Sequence, residues 1–224
     1  MIKLIKELKQ GLNMTNIINK ISNWQDTRTP WIIMVIISAG LVVTSHSFFQ
    51  NYLYMRPCEQ CVYIRFAFLC MTSGGTLAGI SPKNIILKPI AYALSSWGAI
   101  LGIMYSLKLD KIHKAASGDD PFGVQGCLIQ PCYPFNLPLH EWAFDWFLPT
   151  GDCGYDNPVV PDGAALDALQ RYFIDIYSDG WYLVPSIKFM NMAQCTLLGF
   201  GVCFIVLVAM LACYIITKFK PKKA

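Results

Sequence analysis

The sequence predicts an all-α membrane protein built as a bundle of four transmembrane helices. Of its 224 residues, 54% are apolar and only 14% are charged, whereas about a quarter of the residues in a soluble domain are charged. The apolar residues form four long blocks, and a bilayer core about 30 Å thick needs roughly 20 such residues per helix. These blocks lack the alternation of a transmembrane β-barrel strand. The predicted spans are residues 31–49, 62–80, 90–107 and 190–217.

The charges between the spans predict the orientation of the bundle. Residues 1–30, 81–89 and 218–224 together hold eleven basic residues but only two acidic ones. The segment 108–189 holds five basic and eleven acidic residues. Because basic residues concentrate on the cytoplasmic side of a membrane, both termini are expected in the cytoplasm. The loops 50–61 and 108–189 are then expected in the periplasm, and the spans with these loops form a single domain.

The 30 residues before the first span form a basic segment that begins with helical periodicity. One face is apolar with lysines beside it, which is typical of a helix lying on an anionic leaflet; a frayed basic tail is the alternative. The apolar block that follows is long enough to span, so we interpret it as a retained anchor and not as a cleaved signal peptide. The apolar face consists of Ile2, Ile5, Leu8 and Leu12, flanked by Lys3, Lys6 and Lys9.

Two short amphipathic helices are predicted in the long periplasmic loop. In residues 139–148 the apolar side chains, including Trp142 and Trp146, share one helical face. Tryptophan favours the membrane–water boundary, so this helix is expected either flat on the outer leaflet or packed against the bundle. A second apolar stripe predicts another helix, which runs from Asp162 as the N-cap to Gly180 as the C′ residue.

The nine cysteines divide into two groups by position. Four fall inside predicted spans, where cysteine usually packs as a small hydrophobe. The other five lie on the periplasmic side, where disulfides persist, and an odd number leaves one thiol over or implies exchange with a partner. The first group is Cys70, Cys195, Cys203 and Cys213, and the second is Cys58, Cys61, Cys127, Cys132 and Cys153.

Cys58 and Cys61 form a Cys-x-x-Cys pair at the start of the second span. The partial positive charge of a helix N-terminus stabilises a thiolate, which suits a redox-active pair. Arg65 lies one helical turn after Cys61, just inside the apolar block, and a charge at membrane depth is a functional hypothesis by default. We expect it to stabilise a Cys61 thiolate or the charge that develops on an electron acceptor. Snorkelling of Arg65 to the headgroups is the alternative.

Other chemistries have less support in the sequence. A Cys-x-x-Cys pair also binds zinc, so a structural zinc held by the pair and two loop cysteines stays open, although we expect no metal. Covalent haem is not expected, because no histidine follows the second cysteine. Histidine clusters, Gly-rich phosphate loops and Ser-His-Asp patterns are missing from the sequence. The basic residues flank the membrane, so no nucleic acid is expected as a partner.

Taken together, these motifs resemble a known family. Four spans, Pro57 directly before the Cys58 and Cys61 pair, Arg65 four residues later and a loop that ends in Gly-Asp-Cys at Cys153 are similar to the DsbB family of disulfide bond formation proteins. The combination is far more specific than any of its parts, and the resemblance covers most of the chain.

The periplasmic loop carries the resemblance further. Residues 127–153 align with the family's loop without a gap, and Leu137, Pro138, Leu139 and Trp142 fall in register. The basic N-terminal extension, the extra cysteine at position 132 and the additional residues after the Gly-Asp-Cys sequence resemble the DsbI branch, which serves a thioredoxin-like partner called DsbL.

This resemblance implies a quinone-dependent thiol:disulfide oxidoreductase of the bacterial inner membrane. Members of the family pass electrons from a reduced periplasmic thioredoxin-like oxidase, of the DsbA or DsbL type, to ubiquinone or menaquinone. Carried over by position, Cys127 and Cys153 are the loop disulfide that the partner attacks. Cys58 and Cys61 are the disulfide that reoxidises the loop, with Cys61 and Arg65 facing the quinone.

Cys132 keeps the pairing of the loop cysteines open. The resemblance favours a Cys127–Cys153 disulfide, but Cys132 with Cys153 also fits a loop closure, and Cys127 with Cys132 is a further possibility. Cys132 is therefore an additional redox candidate, either as a resting or as a resolving thiol.

Two other functions compete with the oxidase. One is a non-enzymatic membrane scaffold whose periplasmic loops are held by structural disulfides or zinc. The other is a relative of the vitamin K epoxide reductases, which share four spans and a Cys-x-x-Cys but place their cysteines in a different order. A static scaffold needs neither Arg65 beside Cys61 nor an odd number of periplasmic cysteines.

Overall fold

Four helices of the protein are long and apolar enough to cross a membrane, namely Thr29–Tyr52, Glu59–Ile80, Leu87–Ala116 and Met192–Lys218. The computed structural model describes residues 2–116, 118, 128 and 130–218, with side chains from residue 14 onward. The predicted all-α, four-span fold is therefore confirmed. In chain order the elements are α1 (Ile2–Gln25), α2 (Thr29–Thr44) with a π-helical extension (Ser45–Tyr52), α3 (Glu59–Ile80), α4 (Leu87–Ala116), α5 (Leu139–Trp142), α6 (Phe144–Phe147), α7 (Ala168–Ile176), β1 (Tyr182–Val184), β2 (Phe189–Asn191) and α8 (Met192–Lys218).

The third helix, α3, lies at the centre of the bundle. It packs against α2 and α4, and α4 packs in turn against α8. Small residues allow α3 and α4 to approach closely, since a Cβ added at Gly98 would lie 2.7 Å from the carbonyl oxygen of Ala67, a packing mode typical of membrane helices. Large aliphatic side chains on α2 and α8, such as Ile36 and Ile205, are exposed and suit contact with lipid.

Three of the four spans are longer than hydropathy predicts, and most of the difference lies at one end. We call this the cysteine end, where α3 and α8 begin and α4 finishes. α4 continues to Ala116, well past the predicted end at residue 107, because helix geometry persists where charged side chains can reach water. Lys114 and Asp110 form an ion pair of 2.6 Å on that extension, one helical turn apart.

The N-terminal segment is one helix, α1, from Ile2 to Gln25, rather than a short helix or a frayed tail. The side chains of its predicted apolar face lie outside those that the structure describes. Its second half packs against α8, where the hydroxyl oxygens of Ser22 and Thr217 lie 2.8 Å apart. Its last residue, Gln25, is fully buried and accepts a hydrogen bond from the Tyr92 hydroxyl at 2.6 Å.

The helix predicted over residues 139–148 is broken into α5 and α6. The break lies at Ala143, whose φ of −142° and ψ of 66° are not helical. It lets Phe147 turn into the core next to α3, where it is 6% exposed, while Trp142 stays 69% exposed. Of the two predicted arrangements, α6 shows the one in which the helix packs against the bundle. Trp142, on α5, faces outward.

The second predicted loop helix is shorter than the sequence suggests. Asp167, not Asp162, is the N-cap of α7, because its carboxylate accepts the N–H of Gln170 and the Tyr52 hydroxyl at 3.2 Å. The helix ends before Tyr177, so Gly180 lies in a later turn with a φ of +102°. Both aspartates have the chemistry of an N-cap, and a tertiary contact selects between them.

A small hairpin, which was not predicted, joins α7 to α8. Strands β1 and β2 are antiparallel, with Tyr182 opposite Asn191 and Val184 opposite Phe189. Strands of three residues are too short for alternating patterns to stand out in the sequence. The hairpin brings the segment after Cys153 back over the cysteine end of the bundle.

Candidate redox site

The first two site cysteines are joined in a disulfide at the start of α3. Cys58 is the N-cap, with extended backbone, and its Sγ accepts the N–H of Cys61 at 3.2 Å. Cys58 is buried, whereas Cys61 is half-buried. A thiolate released here faces the free N–H groups of the first helical turn, which stabilise negative charge.

Arg65 is held inside the protein and does not snorkel. It is 5% exposed, and its guanidinium donates to the side-chain oxygen of Gln50 at 2.7 Å and to the carbonyl oxygens of Trp146 at 3.0 Å and Ser45 at 3.3 Å. Ser45 and Gln50 both belong to the π-helical extension of α2. π-Helical turns are rare in proteins overall, but those that occur are often at functional sites. This one presents two acceptors to one guanidinium.

His46 holds the segment that supplies one of the Arg65 acceptors. His46 is buried, its Nε2 lies 3.2 Å from the carboxylate of Asp145, and its ring stacks on Trp146 with centroids 3.8 Å apart. Trp146 and Asp145 are thereby fixed, and the Trp146 carbonyl is one of the Arg65 acceptors. Sequence reasoning missed His46 and Gln50; a histidine and a glutamine at the end of an apolar block were the available signal.

Cys61 and Arg65 both line an apolar cavity at the cysteine end. Its volume is about 210 Å³, and its walls come from α2 with its π-helical extension, the segment between α2 and α3, α3, α8 and the loop before α8. Pockets for flat organic ligands are apolar with a few placed polar groups, and this cavity fits that description. Among its lining residues are Val42, Phe49, Ile64, Phe68, Met192 and Gly199.

The Gly-Asp-Cys sequence is fastened to the chain just before Cys58. The backbone N–H groups of Thr150 and Gly151 donate to the carbonyl oxygen of Pro57 at 2.9 and 3.0 Å. Cys153 is buried and belongs to the same core cluster as Cys58. The two predicted redox segments are therefore neighbours in the fold.

The state of the loop cysteines narrows the possible pairings. Cys153 is disulfide-bonded, whereas Cys132 is an exposed free thiol. Both alternatives that involve Cys132 are therefore wrong for this state of the protein. Cys127 lies outside the described residues, so its pairing with Cys153 stays a prediction.

The loop segment around Cys132 is also bound to α3. The N–H of Leu128 donates to the Glu59 carboxylate at 2.9 Å, and the N–H of Cys132 donates to the Tyr63 hydroxyl at 2.8 Å. Burial raises the pKa of Tyr133, which keeps its hydroxyl protonated to donate to the Phe147 carbonyl at 2.7 Å. The loop thus lies over the first turns of α3.

Replacing Gly151 with alanine is expected to loosen the Cys153 segment. A Cβ at Gly151 would lie 2.5 Å from the carbonyl oxygen of Arg56, and overpacking of this kind costs about 1–3 kcal/mol. Thermal unfolding in detergent is expected to begin earlier, and Cys153 to become more accessible to reductant. Gly201→Ala is the matched control, because a Cβ there meets nothing within 4 Å. Unfolding and accessibility equal to the control would contradict this account.

Comparison with known proteins agrees with this arrangement. The family model described as disulfide bond formation protein DsbB matches residues 27–211. The chain belongs to the DsbB family. It is 59% identical over 199 residues to the putative protein-disulfide oxidoreductase DsbI of Campylobacter fetus subsp. fetus, covering 89% of this chain and 93% of that protein. It is 54% identical to DsbI of Salmonella typhimurium, covering 86% and 88%, and 52% identical to DsbI of Escherichia coli O1:K1, covering 88% and 90%.

The family match and the structure together describe a multi-pass membrane protein of the DsbB family, similar to the DsbI proteins. The matched residues include the first three spans, most of the fourth, the disulfide at the start of α3 and the Gly-Asp-Cys segment. The chain is thus a DsbI-like protein-disulfide oxidoreductase.

Proposed function

We propose that the chain oxidises a periplasmic thioredoxin-like dithiol protein, of the DsbA or DsbL type, and passes the electrons to a membrane quinone. The observation that carries the proposal is the cavity that Cys61 and Arg65 share at the cysteine end of α3. A thiol, a cation and an apolar wall in one cavity suit the transfer of two electrons from sulfur to an apolar acceptor.

The residues present fit a quinone headgroup, whether ubiquinone or menaquinone. Phe49, Ile64 and Phe68 offer apolar surface to a flat ring, and Arg65 offers positive charge to a carbonyl oxygen. When bound, a quinone supplies an acceptor for two electrons and two protons. Because Arg65 is held by acceptors on α2 and α6, its charge is oriented before any ligand arrives, which lowers the cost of binding.

The two cysteine pairs take part in two successive thiol–disulfide exchanges. A partner thiolate attacks the disulfide of Cys153, forming a mixed disulfide, and the partner's second thiol displaces the loop cysteine, so that the partner is oxidised and the loop pair reduced. With Cys127 as the second loop cysteine, the loop dithiol then reduces the Cys58–Cys61 disulfide in the same manner. Each exchange moves two electrons and conserves the number of thiols and disulfides.

Reduction of the Cys58–Cys61 pair leaves Cys61 as the sulfur exposed to the cavity. The N–H of Cys61 donates to the Sγ of Cys58, and Arg65 adds positive charge to the cavity that Cys61 lines. The Cα atoms of Cys58 and Cys61 lie 5.0 Å apart, which lets the disulfide close again after the electrons have left.

The proposed location is the bacterial inner membrane, with the cysteine end facing the periplasm. The basic segments 1–30, 81–89 and 218–224 support a cytoplasmic position for the opposite end. Acidic residues outnumber basic ones in the segment 108–189, and complementary charge speeds protein encounter, so a partner with a basic surface is expected.

The test uses the purified full chain in detergent with a reduced thioredoxin-like protein and a soluble ubiquinone analogue. Quinone absorbance is expected to fall only when all three components are present, and to stay constant with Cys58→Ala or Cys153→Ala. Consumption of no quinone by the unaltered chain, with dithiol left reduced, would overturn the proposal and favour a scaffold.

Replacing Cys132 with serine is expected to leave turnover close to that of the unaltered chain. Its thiol is free, exposed and outside the two disulfides that the mechanism uses; its N–H to Tyr63 contact comes from the backbone and survives the change. The measurement is the same quinone assay, with Cys153→Ala as the inactive reference. Loss of turnover equal to that reference would instead make Cys132 a redox cysteine.

A further inference from the structure

The cavity has a second polar edge, on the side formed by the segment between Cys153 and α8. Asp156 and Trp181 line it there. The Oδ2 of Asp156 and the Nε1 of Trp181 are buried and, among the residues that the structure describes, have no hydrogen-bond partner. Buried polar atoms are nearly always paired, so one acceptor and one donor at the same edge point to a ligand with polar atoms of its own.

The surroundings of Asp156 favour the protonated carboxyl. Burial raises the pKa of Asp156 above its ordinary value, an effect that His113 on α4 and hydrogen bonds from the backbone N–H groups of Trp181 and Asp156 itself partly offset. The His113 Nε2 lies 4.0 Å from Oδ2, and the two side chains are 11% and 19% exposed. The charged and titratable groups that line the cavity with Asp156 are Arg56, Cys61, Arg65 and Cys195.

We propose that Asp156 is a proton donor in the oxidase reaction, with Trp181 N–H positioning the acceptor ring. The inference rests on the proposed function and names a further residue for it. Oxidation of the Cys58–Cys61 dithiol to the disulfide releases two electrons and two protons. Both electrons go to the quinone, whose two oxygens take up two protons to give the hydroquinone.

Asp156 is better suited to this task than the other groups in the cavity. Arg65 does not release a proton in proteins, and Cys61 supplies the electron pair. A carboxyl whose protonated form is favoured by burial is the usual solution for a general acid near neutral pH. The Asp156 side chain is itself 19% exposed, so the carboxyl can recover its proton from solvent after each turnover.

The experiment compares Asp156→Asn with the unaltered chain in lipid nanodiscs. The probe is a short-chain ubiquinone analogue, and its binding is followed by tryptophan fluorescence in the absence of dithiol. The rate of quinone reduction is expected to fall by about 100-fold, at the lower end of the range for general acid catalysis, while binding changes little. Added formate is expected to restore part of the lost rate, because it brings a carboxylic acid back to the cavity.

The pH profile separates a proton donor from a structural residue. The rate of the unaltered chain is expected to decline as pH rises through the pKa of Asp156, and that of Asp156→Asn to lose this limb. Asp162→Asn is the matched control, since Asp162 is exposed. Asp156→Asn is not expected to be less stable than the unaltered chain near neutral pH. A raised carboxyl pKa stabilises the fold at low pH, and that contribution is lost as pH rises through the pKa of the folded protein.

Two results would overturn the inference. One is an Asp156→Asn rate equal to that of Asp162→Asn. The other is a lost rate matched by an equal loss of binding and not restored by formate, which would make Asp156 structural. An unaltered chain that reduces no quinone would overturn the proposed function itself, and this inference with it.

Discussion

Replacing Cys61 with alanine is expected to reduce quinone-linked dithiol oxidation to the rate measured without protein. Cys61 is the disulfide sulfur that lines the apolar cavity, so no other sulfur of that pair is positioned to deliver electrons there. Removing a covalent participant abolishes the path and does not merely slow it. The measurement is quinone absorbance with saturating reduced thioredoxin-like protein.

A second readout checks that the Cys61 variant is altered only at the cysteine pair. Cys58 becomes a single thiol, so maleimide labelling without reductant is expected to rise by one per unfolded chain. Cys213→Ala is the matched control, since Cys213 is a free thiol near the other end of α8. Turnover by Cys61→Ala that equals turnover by the control would refute the role given to the pair.

Replacing Arg65 with methionine is expected to lower quinone reduction by about 100-fold, a loss of about 2.8 kcal/mol at 1.4 kcal/mol for each factor of ten. Hydrogen bonds to charged groups contribute about 1.5–3 kcal/mol, so the loss corresponds to one or two such contacts with the acceptor. Methionine keeps much of the length and apolar volume but leaves the Gln50, Trp146 and Ser45 oxygens without their donor.

Two further variants separate charge from shape at this position. Arg65→Lys keeps the charge but lacks the planar fork that contacts three acceptors. Its rate is therefore expected between that of the unaltered chain and that of Arg65→Met. Arg171→Gln, an exposed arginine on α7, is the control for loss of a positive charge elsewhere. Equal rates for Arg65→Met and Arg171→Gln would show that Arg65 has no part in the reaction.

The redox residues of the candidate site are close together in the sequence, whereas the residues that hold them in place are not. The Cys58–Cys61 pair and Arg65 lie within eight residues on one helix, so helix geometry alone brings them to one end of α3. The contacts that hold Arg65 in place join distant parts of the chain. Trp146, which accepts from Arg65, lies 81 residues away, and the Gln50 side chain donates to the Asp145 carbonyl 95 residues further along. A single sequence carries no signal for such contacts.

The sequence by itself determined the four spans and the cysteine pair at a helix start. Both depend on local rules, because a bilayer requires long apolar blocks and a helix sets the spacing of neighbouring side chains. It also placed a redox candidate at Cys153, though not the partner of that cysteine.

Only the tertiary structure decided where the loop helices break, which aspartate caps α7 and which polar groups share the cavity. Ala143 breaks a helix so that Phe147 can pack on α3, and Asp167 is selected over Asp162 by its contact with Tyr52. Asp156 and Trp181 reach the cavity of Cys61 because the chain folds back over the bundle. These outcomes depend on competing contacts between distant residues, whose free energies no local pattern records.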